Sequence, residues 1–262
     1  MGRNGIIFLL TALLLPGIVS AQVSEAEAAK ANNPLADSKA FNLQNYYVPS
    51  IYENADLKAN SMLIRYASPF AGGKVLVRFT LPLVTTPSGY DGAGKPTYAS
   101  GIGDLNFFAT YTLTDPSAKT LVGIGPQVAI PTASNNFTGT GKLQLGGAFI
   151  LFHISPILQY GGLITYQGTV GGQADRPPAS SMVVQPFLIF QLGKGTYLRS
   201  TALWNFNTEN GSYNVPLGVG VGQVVKTGAT VFNLFLEPQF TMLHEGTGQP
   251  AYQLFAGINC QF

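Results

Sequence analysis

The chain has 262 residues, of which 46% are hydrophobic and only 10% are charged, and its formal net charge is +2. Ordinary soluble domains carry about 25% charged residues, and the mean hydropathy of +0.20 is also high. The lack of a basic cluster gives no reason to expect a nucleic-acid partner. A single cysteine, Cys260, excludes an internal disulfide framework and a multi-cysteine metal site.

Residues 1–21 predict a secretory signal peptide. Arg3 supplies the positive start, Ile6–Leu15 is a short apolar core, and Val19–Ala21 is a small-residue cleavage site. The apolar run is shorter than the roughly 20 residues of a spanning helix, which disfavours the alternative of an uncleaved anchor. We therefore expect an exported protein with a polar, alanine-rich periplasmic lead over residues 22–40.

From residue 41 onwards, the hydrophobic pattern has a period of two. Between Asp104 and Thr114, apolar and polar residues alternate, which is the signal of a half-buried strand. The same alternation recurs in Lys74–Leu83, Leu121–Pro131, Leu158–Gln167, Val184–Leu192 and Val231–Met242. Each run has about ten residues, which suits a tilted strand that crosses a bilayer. No apolar run after residue 21 reaches about 18 residues, so we expect strands rather than helices to cross a membrane.

The connections between these runs alternate in length. The short ones are Ser68–Gly73, Asp115–Lys119, Ser155–Pro156, Gly193–Gly195 and Lys226–Gly228. The longer ones are Glu53–Asn60, Thr85–Ser100, Ala133–Gly141, Thr169–Ser180, Thr208–Ser212 and His244–Pro250. Together they separate about twelve strands, beginning with Phe41–Ile51. The pattern predicts an all-β, transmembrane, antiparallel up-and-down β-barrel over residues 41–262, in the bacterial outer membrane.

The last residues support closure of this barrel. Phe255–Phe262 again alternates, and a closed barrel requires the last strand to pair with the first. The terminal Phe262 resembles the signal by which the barrel-assembly machinery recognises its clients. The expected partners are therefore the lipid bilayer and that machinery, although a soluble β-sandwich could also end on phenylalanine.

The same alternation places polar residues in the lumen, because Arg or Lys facing lipid at the midplane would cost about 2–4 kcal/mol each. The predicted lumenal and selectivity residues are Arg65, Arg78, Asp104, Lys142, Gln185, Arg199 and Glu237. Arg65 and Arg78 lie on consecutive strands, so we expect a basic patch that Asp104 or a bound anion compensates. This patch would select anionic or polar solutes, or it would belong to a structural ion-pair network.

Three phenylalanines share the lumenal parity. Phe108, Phe187 and Phe235 predict an apolar slot for an aromatic solute, with plug or packing residues as the alternative. For catalysis, the only histidines are His153, beside Ser155, and His244. This is too little for an assembled catalytic group. We therefore predict no enzyme activity, no metal site and no cofactor.

Several segments are similar to a known family. They are NPLADSKAFNLQNYYVPSIY, RFTLPLVTTP, GIGDLNFFATYTL, VAIPTAS, VVQPFLIFQLGKGTYLRS and VPLGVGVGQVVKTG. They resemble the outer-membrane barrel family labelled for the meta-pathway of phenol degradation, over about residues 33–262. The resemblance implies a barrel that passes small molecules, aromatic ones included, and brings no catalytic residues with it.

Taken together, these features predict an outer-membrane channel or transporter for small solutes with a polar lumen. The alternative is a non-conducting, plugged barrel with a structural or adhesive role. A barrel enzyme that uses loop residues is the third hypothesis.

Overall fold

The computed structural model describes residues 23–262, so the predicted signal peptide lies outside the described residues. One helix, α1 (Glu25–Asn32), comes first, and no helix in residues 23–262 is long and apolar enough to span a bilayer. The strands are β1 (Ala40–Ile51), β2 (Ala59–Phe70), β3 (Val75–Tyr90), β4 (Pro96–Ile102), β5 (Leu105–Thr112), β6 (Thr120–Ile130), β7 (Lys142–His153), β8 (Leu158–Gly172), β9 (Ser180–Gly193), β10 (Thr196–Ser200), β11 (Trp204–Asn207), β12 (Tyr213–Gly218), β13 (Gly220–Thr227), β14 (Thr230–Glu245) and β15 (Pro250–Gln261).

The strands form one closed antiparallel barrel. Each pairs with its neighbours, and β1 pairs with β15 from Ala40 opposite Gln261 to Ile51 opposite Pro250. Three of the barrel strands are interrupted, so β4 with β5, β10 with β11, and β12 with β13 each act as one strand. The fifteen segments therefore make twelve barrel strands. This confirms the predicted all-β fold and strand number.

One predicted loop is shorter than expected. In place of a loop over Thr85–Ser100, β3 and β4 continue as a hairpin to the pair Tyr90 and Pro96. The reversal itself is confined to a few residues, in which the Asp91 side chain accepts hydrogen bonds from the backbone N–H groups of Ala93 and Lys95. An aspartate side chain that accepts hydrogen bonds from the backbone of its own turn stabilises a tight reversal. Strand pairing therefore extends beyond the barrel wall.

The two faces of the wall differ in polarity. Large apolar side chains are exposed on the outside, among them Phe41, Phe79, Ile124, Phe149, Ile164, Leu188, Val221 and Phe240. The alternate positions point inward and include buried polar residues such as Gln44, Gln159, Asn233 and Gln239. An apolar outer belt around a polar interior is the arrangement of a barrel that spans a bilayer.

Helix α1 packs inside the barrel, at the end where the short turns lie. Its first turn is held by a capping box between Ser24 and Glu27. Its buried alanines allow close approach to Phe152, Tyr197 and other inward side chains near the short turns. The sequence carries no signal for this position, because an alanine-rich polar segment has no strong amphipathic pattern.

The interior wall also has to leave room for large side chains. Gly218, Gly220 and Gly222 alternate along the inner face of β12 and β13. A Cβ atom at Gly222 would overlap the ring of Tyr197, which is fully buried beneath α1.

We expect Gly222→Ala to destabilise the barrel by about 1–3 kcal/mol, the usual effect of overpacking. The free energy of unfolding in urea, followed by the heat-modifiable gel mobility of the barrel, measures this change. Gly171→Ala is the matched control, because a Cβ atom there meets no atom within 4 Å. Equal stabilities of the two variants would contradict the proposed fit between Gly222 and Tyr197.

Candidate functional site

A chamber occupies the middle of the lumen. Inward side chains from strands around the barrel enclose a cavity of about 150 Å³. Seven of the ten predicted lumenal residues line this chamber. The predicted residues that line it are Arg65, Arg78, Gln185, Arg199, Phe108, Phe187 and Phe235.

Arg65 and Arg78 form the predicted basic patch. Arg65 pairs in register with Thr80 and Arg78 with Ala67, so the two arginines are diagonal neighbours on the inner face of β2 and β3. Arg65 Nη1 donates a hydrogen bond to Gln44 Oε1 at 2.5 Å. The guanidinium carbon of Arg78 lies 4.1 Å from the centroid of the Phe108 ring.

Arg199 differs from these two because it has a carboxylate partner. Its Nε lies 2.8 Å from Glu237 Oε2, and its guanidinium carbon lies 3.7 Å from the Phe235 ring centroid. Glu237 is fully buried and also accepts hydrogen bonds from Thr201 and Gln239. Glu237 therefore holds Arg199 and the break after β10 in place, and it does not face the chamber.

Two predicted residues lie away from the chamber, at the end of the barrel with the long loops. Asp104, at the break between β4 and β5, accepts hydrogen bonds from Ala133 and Thr140. Lys142 Nζ donates to the Gln173 carbonyl at 2.5 Å. Asp104 therefore does not neutralise the charge of Arg65 and Arg78, because its carboxylate accepts hydrogen bonds from the loop that follows β6.

Arg176 is a structural residue that the sequence analysis missed. Its guanidinium donates to the carbonyl groups of Asn136, Gly139 and Thr140, and so ties the loop after β8 to the loop after β6. A lone arginine in a polar loop carries no sequence signal that separates this role from simple solvation.

The three predicted phenylalanines lie around the chamber, but they do not form a separate slot. Phe108 and Phe235 lie beneath guanidinium groups, and Phe235 also contacts Phe255, with ring centroids 4.8 Å apart. Phe255 stacks on Tyr46 at 4.1 Å. This aromatic cluster (Tyr46, Leu63, Phe235 and Phe255) is buried and bounds the chamber towards the long loops. The sequence signal available for this aromatic cluster was the inward-facing parity of Tyr46 and Phe255.

The segment Asn33–Ala36 bounds the chamber towards the short turns. A second cavity of about 550 Å³ lies beside α1 and is also lined by the turn residues Pro116 and Pro156. Asn33 and Ala36 line both cavities. The segment Asn33–Ala36 therefore separates the chamber from the short-turn end of the barrel.

Polar side chains of the wall hold α1 in place. Gln159 donates to the carbonyl of Ala29 at 2.9 Å, and Gln261 donates to that of Ala31 at 3.2 Å. Asn233 donates to the carbonyl of Ala31 and to the side chain of Asn32. Glu27 forms an ion pair with Lys226 of β13.

The histidines are far from each other along the barrel. His153 ends β7, where its Nδ1 bonds the Thr120 hydroxyl and its ring stacks on Tyr160. His244 lies near the end of β14 and stacks on Tyr52, with centroids 3.7 Å apart. Within residues 23–262, no three His, Cys, Asp or Glu side chains come together in a group that could hold a metal ion.

Three solved structures of channels and porins are similar to this chain. The COG4313 outer membrane channel from Pseudomonas putida F1 is similar, with a TM-score of 0.62 and 15% identity over 95% of this chain and 100% of that chain. The NanC porin has a TM-score of 0.55 and 7% identity, over 85% of this chain and 98% of its own. The KdgM porin has a TM-score of 0.50 and 9% identity, over 85% of this chain and 99% of its own.

At such low identities, this likeness shows the shared barrel fold. No protein-family model and no curated protein matches the chain. The resemblance to the family labelled for the meta-pathway of phenol degradation therefore stays a prediction.

We expect Glu237→Gln to lower the free energy of unfolding in urea by about 3–5 kcal/mol, because it leaves Arg199 buried without its counter-charge. In an Arg199→Met background the same substitution should cost much less, since no cation then remains unpaired. The glutamine keeps an oxygen for the Thr201 N–H, so the double-mutant cycle isolates the charge. If the losses of unfolding free energy from Glu237→Gln and Arg199→Met add up to that of the double variant within about 0.5 kcal/mol, the two side chains act independently.

Proposed function

We propose that this protein is an outer-membrane channel for small solutes, exported by a signal peptide over residues 1–21. The observation that carries the proposal is a polar chamber inside a closed barrel, lined by three arginines. The similar structures named as channels and porins support it. The short turns would then face the periplasm and the long loops the exterior.

In this proposal, passage requires movement of the segment around α1. The chamber is separated from the short-turn end by Asn33 and Ala36, and α1 beside them is held by apolar packing of its buried alanines and by hydrogen bonds to its carbonyl oxygens. Such bonds can be exchanged for bonds to water at a net cost of about 1 kcal/mol each. A modest displacement of residues 33–36 would therefore connect the two cavities.

The second candidate function is a non-conducting barrel with a structural or adhesive role. The observation that favours it is the filling of the lumen by α1 with its following segment on one side of the chamber and by the aromatic cluster on the other. Steady conductance is the property that separates these two functions.

Assembly is proposed to depend on Phe262. The exposed Phe262 side chain directly follows β15 and continues its lipid-facing parity, and the Phe262 N–H donates to the carbonyl of Lys39, just before β1. Recognition of Phe262 by the barrel-assembly machinery would therefore occur at the seam where the barrel closes.

We expect Asn233→Ala to increase the single-channel conductance or the fraction of time open in a planar bilayer, because it removes two hydrogen bonds that hold the end of α1. Asn214→Ala is the matched control, since Asn214 is also a buried lumenal asparagine but bonds Thr241 and Pro250 near the long loops. A folded Asn233→Ala barrel and a folded wild-type barrel that both stay silent would reject the channel.

Conductance should also depend on pH through Glu27. Hydrogen bonds from Lys226 and then from Ser24 lower the pKa of the Glu27 carboxyl from 4.5 to about 2. A lowered pKa means that the docked helix favours the ionised carboxylate. The contribution of the Glu27 carboxylate to holding α1 inside the barrel is complete above about pH 4.5 and is lost as the pH falls towards 2.

We therefore expect the open fraction to rise as the pH is lowered from 4.5 to 2, modestly because solvent and salt screen this exposed pair. Glu27→Gln should be more open at neutral pH and lack this pH response. Glu25→Gln, in the same helical turn, should behave as wild type. A pH response that persists in Glu27→Gln would assign it to another group.

A further inference from the structure

The charges around the chamber are unbalanced. Three arginines line it, and no aspartate or glutamate is among its lining residues in the described part of the chain. Of the three, only Arg199 takes part in an ion pair within residues 23–262. Arg65 and Arg78 are therefore two neighbouring cations without a protein anion, which is unfavourable across adjacent strands.

The same two arginines have unsatisfied donors. The Nε atoms of Arg65 and Arg78 are buried and have no hydrogen-bond partner, and Oδ1 of Asn42, opposite Arg65 in the β1–β2 register, is also without one. A buried polar group without a partner costs about 1–3 kcal/mol, and more when it is charged. Water could satisfy the donors, but only an anion would also balance the two charges.

Part of the lining is apolar and limits the size of the ligand, whereas amide side chains such as Gln44, Gln185 and Asn259 make up much of the remainder. Phe108, Phe187, Leu76, Ile150 and Leu163 form the wall next to the arginines. The cavity of about 150 Å³ equals in volume an engineered cavity that accepts benzene. The space therefore fits one ring-sized apolar body.

The surroundings of Arg78 suit a planar anion. Its guanidinium carbon lies over the Phe108 ring, 4.1 Å from the centroid, so the ring covers one side of the group while its Nε has no hydrogen-bond partner. A guanidinium edge matches the geometry of a carboxylate, with which it forms paired N–H···O bonds.

We propose that the chamber binds a small monocarboxylate with a ring-sized apolar body, the carboxylate between Arg65 and Arg78 and the body against Phe108 and Phe187. This site names the substrate class of the proposed channel and in that sense rests on the proposed function. The neutral amide Asn42 completes the polar side of the site by accepting from a ligand donor or a bound water.

The test is a binding titration of the full barrel in phosphatidylcholine nanodiscs, with empty nanodiscs as the background. Benzoate is the probe, benzamide is its neutral counterpart of nearly the same shape, and inorganic phosphate is an anion without an apolar body. Wild-type protein should bind benzoate at least about 10-fold more tightly than benzamide, because a hydrogen bond to a charged group contributes a factor of this order. Phosphate should bind more weakly than benzoate.

Arg65→Met and Arg78→Met remove the charge and retain an apolar stem, and each should weaken benzoate binding about 10-fold or more. Benzamide binding should change little. Arg176→Met is the matched control, because Arg176 lies at the long-loop end with its donors on loop carbonyls. Its benzoate affinity should equal that of wild type.

Equal affinities of wild type for benzoate and benzamide would overturn the proposal, and so would tighter binding of phosphate. These comparisons use wild-type protein and do not depend on whether a variant folds. Benzoate flux into liposomes is measured separately. Binding without flux would support the site and reject the channel, whereas flux without binding would reject the site and leave the channel standing.

Discussion

A closed ring of twelve strands encloses more space than its own inward side chains fill, since about eight strands are the size at which a barrel interior is just filled. The remaining space has to be occupied by water, by a ligand or by another part of the chain. Here the chain supplies α1 and the segment after it at one end, and an aromatic cluster nearer the other end. The chamber is what these two fillings leave between them.

The two boundaries of the chamber are held by different interactions. Towards the short turns, amide side chains and one ion pair hold α1 alongside the apolar packing of its buried alanines, and the polar contacts can be replaced by water. Towards the long loops, Tyr46 stacks on Phe255 and the tilted Phe235 ring also contacts Phe255, so their separation would expose apolar surface at about 25 cal/mol per Å². The short-turn boundary therefore includes polar contacts that water can replace, whereas the aromatic boundary is apolar.

The charged residues of the lumen also fall into two groups. Glu237 and Asp104 are both used within the protein, one to hold Arg199 and one to hold a loop. Arg65 and Arg78 are left without carboxylates at the chamber. The carboxylates of the lumen thus stabilise the interrupted strands, and the positive charge that remains is concentrated where the cavity lies.

The sequence by itself determined the barrel and the facing of its residues. A period of two and connections of alternating length are local properties, so they predict strand number, the short-turn and long-loop ends, and which side chains point inward. Parity correctly placed Arg65, Arg78, Arg199 and Phe108 on the inner face.

Only the tertiary structure decided which inward residues meet. Two residues of equal parity can lie at different heights in a tilted barrel, and this is why Glu237 is near the chamber whereas Asp104 and Lys142 are at the mouth. The position of α1 was also beyond sequence reasoning, because its contacts come from β8, β13, β14 and β15, far away in the chain. Contacts of this kind exist only after the barrel has closed, since closure brings those four strands around one space.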